Sequence, residues 1–147
     1  MTYPKKVIRF KSEAYWSFWD FQYAKDSNPI EDWYGQLSEE AARRLDALLK
    51  VNSKTDSPHQ WVGFKRFLQG GLKQHRIWEL EFHADKRQYR LLGKFGDVRK
   101  QAILLMGCYH KGRVYTPADA LEQASKRAKL LAEGKAIICE RPINEDF

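Results

Sequence analysis

Between Ile77 and Cys108 the pattern of apolar and polar positions is that of β-strands. In IWELEFH, Trp78, Leu80 and Phe82 point one way while Glu79, Glu81 and His83 point the other. QYRLLGKF and QAILLMGC are apolar on both faces, which predicts central strands. ADKR reads as the hairpin turn between the first two of these strands, and GFKRFL with a Gly70–Gly71 turn leads into them. Upstream, residues 6–11 (KVIRFK) and 15–23 (YWSFWDFQY) are short runs of β-branched and aromatic residues. Alternation puts Trp19, Phe21 and Tyr23 on one face, although a helix starting at Ser12 would bury rings too.

Helical signals separate and follow the strands. Asn28 is an N-cap with Pro29 at the first helical position and acidic Glu31 and Asp32 in the first turn, where they suit the helix dipole. After a turn at Gly35, Ser38 caps a longer helix whose Ala41, Leu45, Leu48 and Leu49 recur at helical spacing. Residues 52–58 form a polar loop too short for a domain linker. After the meander, Thr116 is the expected cap of a helix over 117–133 with Pro117 at its first position, ended by Gly134. The tail beyond carries no recognisable signal. The order is strand or strands, two helices, a three-stranded antiparallel meander and a helix. That predicts an α+β sandwich with its helices on one face of the sheet.

At 147 residues the chain supports one domain, 1–147, because a second would be starved of core. No stretch approaches the roughly 18 apolar residues of a membrane span. The N-terminus lacks the pattern of a secretory signal, so a cytoplasmic location and no membrane partner are expected. Cys108 and Cys139 sit in apolar contexts and read as buried thiols. No histidine or cysteine spacing suggests zinc, and no phosphate-binding glycine loop or nucleophile elbow is present. The net charge of +7 is uneven. Residues 59–135 carry sixteen basic and seven acidic side chains, which favours an anionic partner for that half.

The stretch from Gly70 to Arg127 resembles the phage-derived branch of the RelE/HigB toxins, within the RelE/ParE superfamily. The residues that carry the match are GGL, WELEF, DKRQYRLLGKFG and ILLMGCYHKGRVYTPADALEQASKR. The resemblance implies a small microbial-RNase-like fold and the toxin of a type II toxin–antitoxin pair. It further implies a ribosome-dependent mRNA endonuclease that needs no metal or cofactor. The implied partners are a cognate antitoxin of helix-turn-helix type, the ribosome and mRNA. One branch of the superfamily inhibits DNA gyrase without chemistry, and an inactive phage-derived member is a third reading.

Cleavage through the ribose 2′-OH needs a base, a cation for the phosphate and an acid for the leaving oxygen. Arg90 matches the family's strand arginine, and alternation puts Lys94 on its face. Tyr115 matches the family's aromatic residue near the scissile phosphate, in a loop that also offers His110, Lys111 and Arg113. The founding toxins carry basic residues where this chain has Glu79 and Glu81. If ADKR is the turn, Glu81 lies opposite Arg90. In one reading the two form a structural cross-strand ion pair. In the other, Glu81 is the base, Arg90 the phosphate clamp and His110 or Tyr115 the acid. Lys65, Arg66, Lys73, Arg76, Arg99 and Lys100 read as an electrostatic footprint for RNA. Trp16, Trp19, Trp33 and Trp78 read as core, and Trp61, in a polar neighbourhood, is the least clearly buried.

Overall fold

The computed structural model describes residues 16–65 and 75–143. The strand expected at 6–11 and the Gly70–Gly71 turn lie outside the described residues, as do Arg66 and Lys73.

Strand β1 (Ser17–Gln22) is followed by helix α1 (Pro29–Gly35), helix α2 (Glu39–Ser53) and a single 3₁₀ turn (Pro58–Gln60). Strands β2 (Phe64–Lys65), β3 (Trp78–Ala84), β4 (Arg87–Phe95), β5 (Gln101–Lys111) and β6 (Val114–Thr116) come next. Helix α3 (Ala120–Ala132) and strand β7 (Ile137–Arg141) are the last elements among the described residues. The seven strands form one mixed sheet in the order β2-β3-β4-β5-β1-β7, with β6 paired to β5. Among the described strands only β1 and β5 run parallel, and every other pair is antiparallel.

The architecture is the expected α+β class with the meander at its centre, but the helices lie on both faces of the sheet. On one face α1 and α2 bury Ile30, Ala41, Leu45 and Leu49 against Phe18, Leu80, Leu91 and Leu104. On the other, Ala120, Ala124 and Ala128 of α3 pack against Phe21, Leu92, Ile103 and Leu105. A one-sided arrangement would have left this second apolar row in water, since β5 is apolar on both faces. Within the aromatic run, Ser17–Gln22 form a strand rather than a helix, with Trp19 and Phe21 on the α3 side.

Local chemistry sets the helix ends. Asn28 accepts a hydrogen bond from the Glu31 N–H at 2.8 Å, and Ser38 from the Ala41 N–H at 3.0 Å. At the end of α3, Gly134 takes a left-handed φ of 70° while the Lys135 N–H reaches back to the Leu130 carbonyl at 2.8 Å. The start of α3 differs from expectation. Thr116 is claimed by the β5–β6 ladder opposite Tyr109, so it does not cap, and the helix begins three residues beyond Pro117.

Strand β7 pairs with β1 at the sheet edge, although its sequence gave no signal. It is anchored by Arg141, whose fork grips buried Asp20 at 2.8 and 2.9 Å and also reaches Glu31 at 2.5 Å. Cys139 on this edge is exposed, against expectation, because an edge strand beyond the helices has one uncovered face; Cys108 is buried as expected. Trp61 is buried at 4% exposure. It is the hub of a ring cluster with Trp16, Phe18, Phe64, Trp78 and Phe95 at centroid distances of 5.2–6.0 Å. The polar neighbours in its sequence bend the chain back and let its Nε1–H donate to the Thr55 carbonyl.

Candidate functional site

The site is built by strand register. Asp85 and Lys86 both take left-handed φ values, 53° and 61°, which makes a two-residue type I′ hairpin. That turn fixes Glu81 opposite Arg90 and His83 opposite Gln88, as the ADKR reading required. On the other side of β4, Arg90 lies opposite Cys108 and Gln88 opposite His110. Strand β6 then places Tyr115 opposite His110. Directly paired residues share a face, so Glu81, Arg90, Cys108, Gln88, His110 and Tyr115 gather on the α3 side of the sheet, beyond the end of α3's alanine row.

Arg90 is the centre of this cluster. Its Nη1 lies 2.9 Å from Glu79 Oε2 and 2.8 Å from Glu81 Oε2. Gln88 donates a short hydrogen bond to the other oxygen of Glu81, and Lys65 Nζ stands 3.5 Å from Oε2. The contact to Glu79 is diagonal across the hairpin and is the more deeply buried, since the Glu79 side chain is 6% exposed. The expected cross-strand pair is therefore one limb of a partly buried network of two carboxylates and two cations. Nε of Arg90 is buried with no hydrogen-bond partner.

His110 meets the Tyr115 ring edge-on, with centroids 4.2 Å apart, and the Tyr115 hydroxyl donates to Glu79 at 3.4 Å. Burial, reinforced by the Arg90 charge, pulls the His110 pKa below its ordinary value, so the imidazole is neutral at pH 7; its Nε2 is buried without a partner. Burial and the neighbouring Glu79 push the Tyr115 phenol well up, and it stays protonated. Burial and Glu79 also raise the Cys108 thiol to about 12, which removes it as a nucleophile. The cluster thus offers a neutral imidazole, a protonated phenol and an arginine held between two carboxylates.

Other expected site residues fall elsewhere. Lys94 shares the face of Arg90, but Leu92 lies between them in the core beneath α3, and Lys94 lines a separate cleft with Gln101, Ile103, Leu131 and Ile138. Lys111 points to the opposite face from His110, and Arg113 is exposed at the hairpin tip beside Gly112, whose φ is 68°. Lys65 joins the cluster through Glu81. Arg76 and Arg99 are exposed, in the loops that precede β3 and β5. Lys100 is instead a structural tie: its ammonium bonds Asp56, whose carboxyl it holds below the usual range. Gln88 was missed by the sequence reading, yet it sits two residues from Arg90 on the same face, and alternation alone would have found it.

Among the described residues, no group of three or more His, Cys, Asp or Glu side chains could hold a metal ion, and no helix is long and apolar enough to cross a membrane. Fold and site together define a small basic α+β protein with a polar cluster on the face of its meander. Residues 32–129, about two thirds of the chain, match the model of the phage-derived Gp49-like proteins (DUF891), and the chain belongs to that family. The family is associated with toxin-like proteins of the RelE kind. No curated protein and no solved structure matches the chain significantly.

Proposed function

We propose that this protein is the toxin of a type II toxin–antitoxin pair, and that it inhibits translation by cleaving mRNA on the ribosome. The observation that carries the reading is the His110–Tyr115 pair standing beside Arg90 on one face of the meander. In this mechanism the neutral His110 takes the proton of the ribose 2′-OH, the 2′-oxygen attacks its own phosphate, and Tyr115 returns a proton to the departing 5′-oxygen. Arg90 supplies the positive charge that faces the phosphate. Glu81, already engaged by Gln88, Arg90 and Lys65, orients the guanidinium and leaves the proton transfer to His110. The excess of positive charge over residues 59–135 supplies the attraction to RNA.

A binding-only reading, in which the chain blocks gyrase or another target without chemistry, is favoured by one observation: a single Arg90 nitrogen is shared by both Glu79 and Glu81. Pulse labelling after induction of the protein alone separates the two. The nuclease reading expects methionine incorporation to stop within minutes while thymidine incorporation continues. Early loss of thymidine incorporation with protein synthesis intact would overturn it.

A further inference from the structure

A second feature lies at the edge of β5. Strand β1 accompanies β5 as far as Leu104 and β6 begins opposite Tyr109, so among the described residues Leu105–Cys108 have no strand on that side. Arg127 of α3 reaches into this gap and donates from Nη1 to the Leu105 carbonyl at 2.7 Å. Its Nε donates to the Tyr23 hydroxyl at 3.0 Å and its Nη2 to Gln123 at 3.1 Å, and Nη1 also touches Met106 Sδ at 3.3 Å. The guanidinium lies near the Phe21 and Tyr23 rings.

Arg127 is only 7% exposed, and among the described residues no carboxylate forms an ion pair with it. Neutral acceptors and ring faces solvate it in part but leave the full charge standing, which is costly for a buried cation. Four of its five N–H groups are spent, and the fifth is open.

The same residue lines a cavity of about 200 Å³, and a second of about 280 Å³ adjoins it; both are walled by Trp33, Gln36, Gly107 and Pro117. Gly107 makes the groove: a Cβ there would lie 2.1 Å from Trp33, so only glycine lets the indole rest on the strand. At the far end Arg87 lies 4.4 Å over the Tyr109 ring. The groove is therefore apolar along its middle and cationic at both ends. The only described acid on its wall is Asp32, which is exposed on α1 and does not pair with Arg127.

We propose that this groove docks an acidic, ring-bearing segment of a protein partner, whose carboxylate completes Arg127. The proposal deepens the toxin–antitoxin reading and rests on its claim of a protein partner. A carboxylate meets the open N–H of Arg127 with a charge-assisted bond, and the apolar middle takes the neighbouring side chain. A polynucleotide would bring phosphate to both ends but leave the Trp33–Pro117 wall without apolar cover.

The test is a titration of the isotope-labelled full chain with N-acetyl-Glu-Leu-Phe amide and with its Gln counterpart, followed by NMR. The groove predicts saturable shifts at the Arg127 Nε–H, the Trp33 indole N–H and the Gly107 amide, with the Glu peptide binding about tenfold more tightly. Gln36→Glu adds a like charge at the exposed rim without touching the core, and should weaken the Glu peptide several-fold. Equal affinity for the two peptides, shifts confined to other surfaces, or indifference to Gln36→Glu would each overturn the proposal. So would a hexauridylate that moves the same three signals where the peptides do not. If growth arrest is relieved by a partner that leaves these signals unmoved, the groove fails and the toxin–antitoxin reading stands. Selective binding of the Glu peptide by a protein that causes no arrest has the reverse meaning.

Discussion

Arg90 holds two carboxylates with one nitrogen, and both limbs are largely shielded from water. Removing it strands Glu79 in a site that is 6% exposed, so Arg90→Ala should cost about 3 kcal/mol in urea unfolding, well above the roughly 0.5 kcal/mol of an exposed cross-strand pair. A loss near the smaller figure would mean that the carboxylates find water when the arginine leaves. Arg90→Lys keeps the charge without the fork; it should retain most of the stability and lose at least about tenfold in cleavage. His110 permits a pH test. Its pKa is lowered by folding, so between the folded value and about 6.5 the unfolded chain binds more protons. Its contribution is fully present above about pH 6.5 and is lost as pH falls through the lowered folded value. His110→Gln should therefore flatten the acid-side fall in the urea midpoint relative to the native chain; an unchanged slope would contradict the buried, neutral assignment. Hairpin arithmetic on the sequence found Glu81 opposite Arg90. It did not find the diagonal reach to Glu79 or the neutrality of His110, because one depends on rotamers and the other on burial.

The first strand of the meander announces itself through period-two alternation, and the two central strands through apolar residues on both faces. Pairings between distant segments leave no such trace. The parallel match of β1 with β5 joins segments more than 80 residues apart, the edge strand β7 is held by Arg141 with Asp20, 121 residues apart, and no local pattern encodes either. Cap signals were reliable where nothing competed, as at Asn28 and Ser38, and failed at Thr116, where a strand ladder took the residue. The turn between β3 and β4 carries a strain that can be relieved. Lys86 sits at φ 61° in a type I′ position that favours glycine, so Lys86→Gly should stabilise the fold by about 0.5–1 kcal/mol. A destabilised variant would show that the lysine makes a contact worth more than its backbone strain. Gly93 has the opposite character. A Cβ there would fall 2.5 Å from Trp78 and 2.6 Å from the Ile103 carbonyl, beside the β4–β5 bulge, so Gly93→Ala should destabilise by about 2 kcal/mol.

Over the whole molecule, two helical layers clamp one sheet, and the polar cluster occupies the part of the α3 face that the alanine row leaves free. Family membership and charge distribution both concern the chain as a whole, and they turn a cluster of ordinary side chains into a candidate RNA site. The central claim is that this cluster cuts mRNA. It is tested most directly by mapping mRNA 5′ ends after brief induction of the native chain, of His110→Ala and of Tyr115→Phe. The account predicts new 5′ ends inside translated reading frames for the native chain and a loss of about 100-fold or more in each variant, with all three proteins folded. Growth arrest with no new 5′ ends, or full cleavage by both variants, would contradict it.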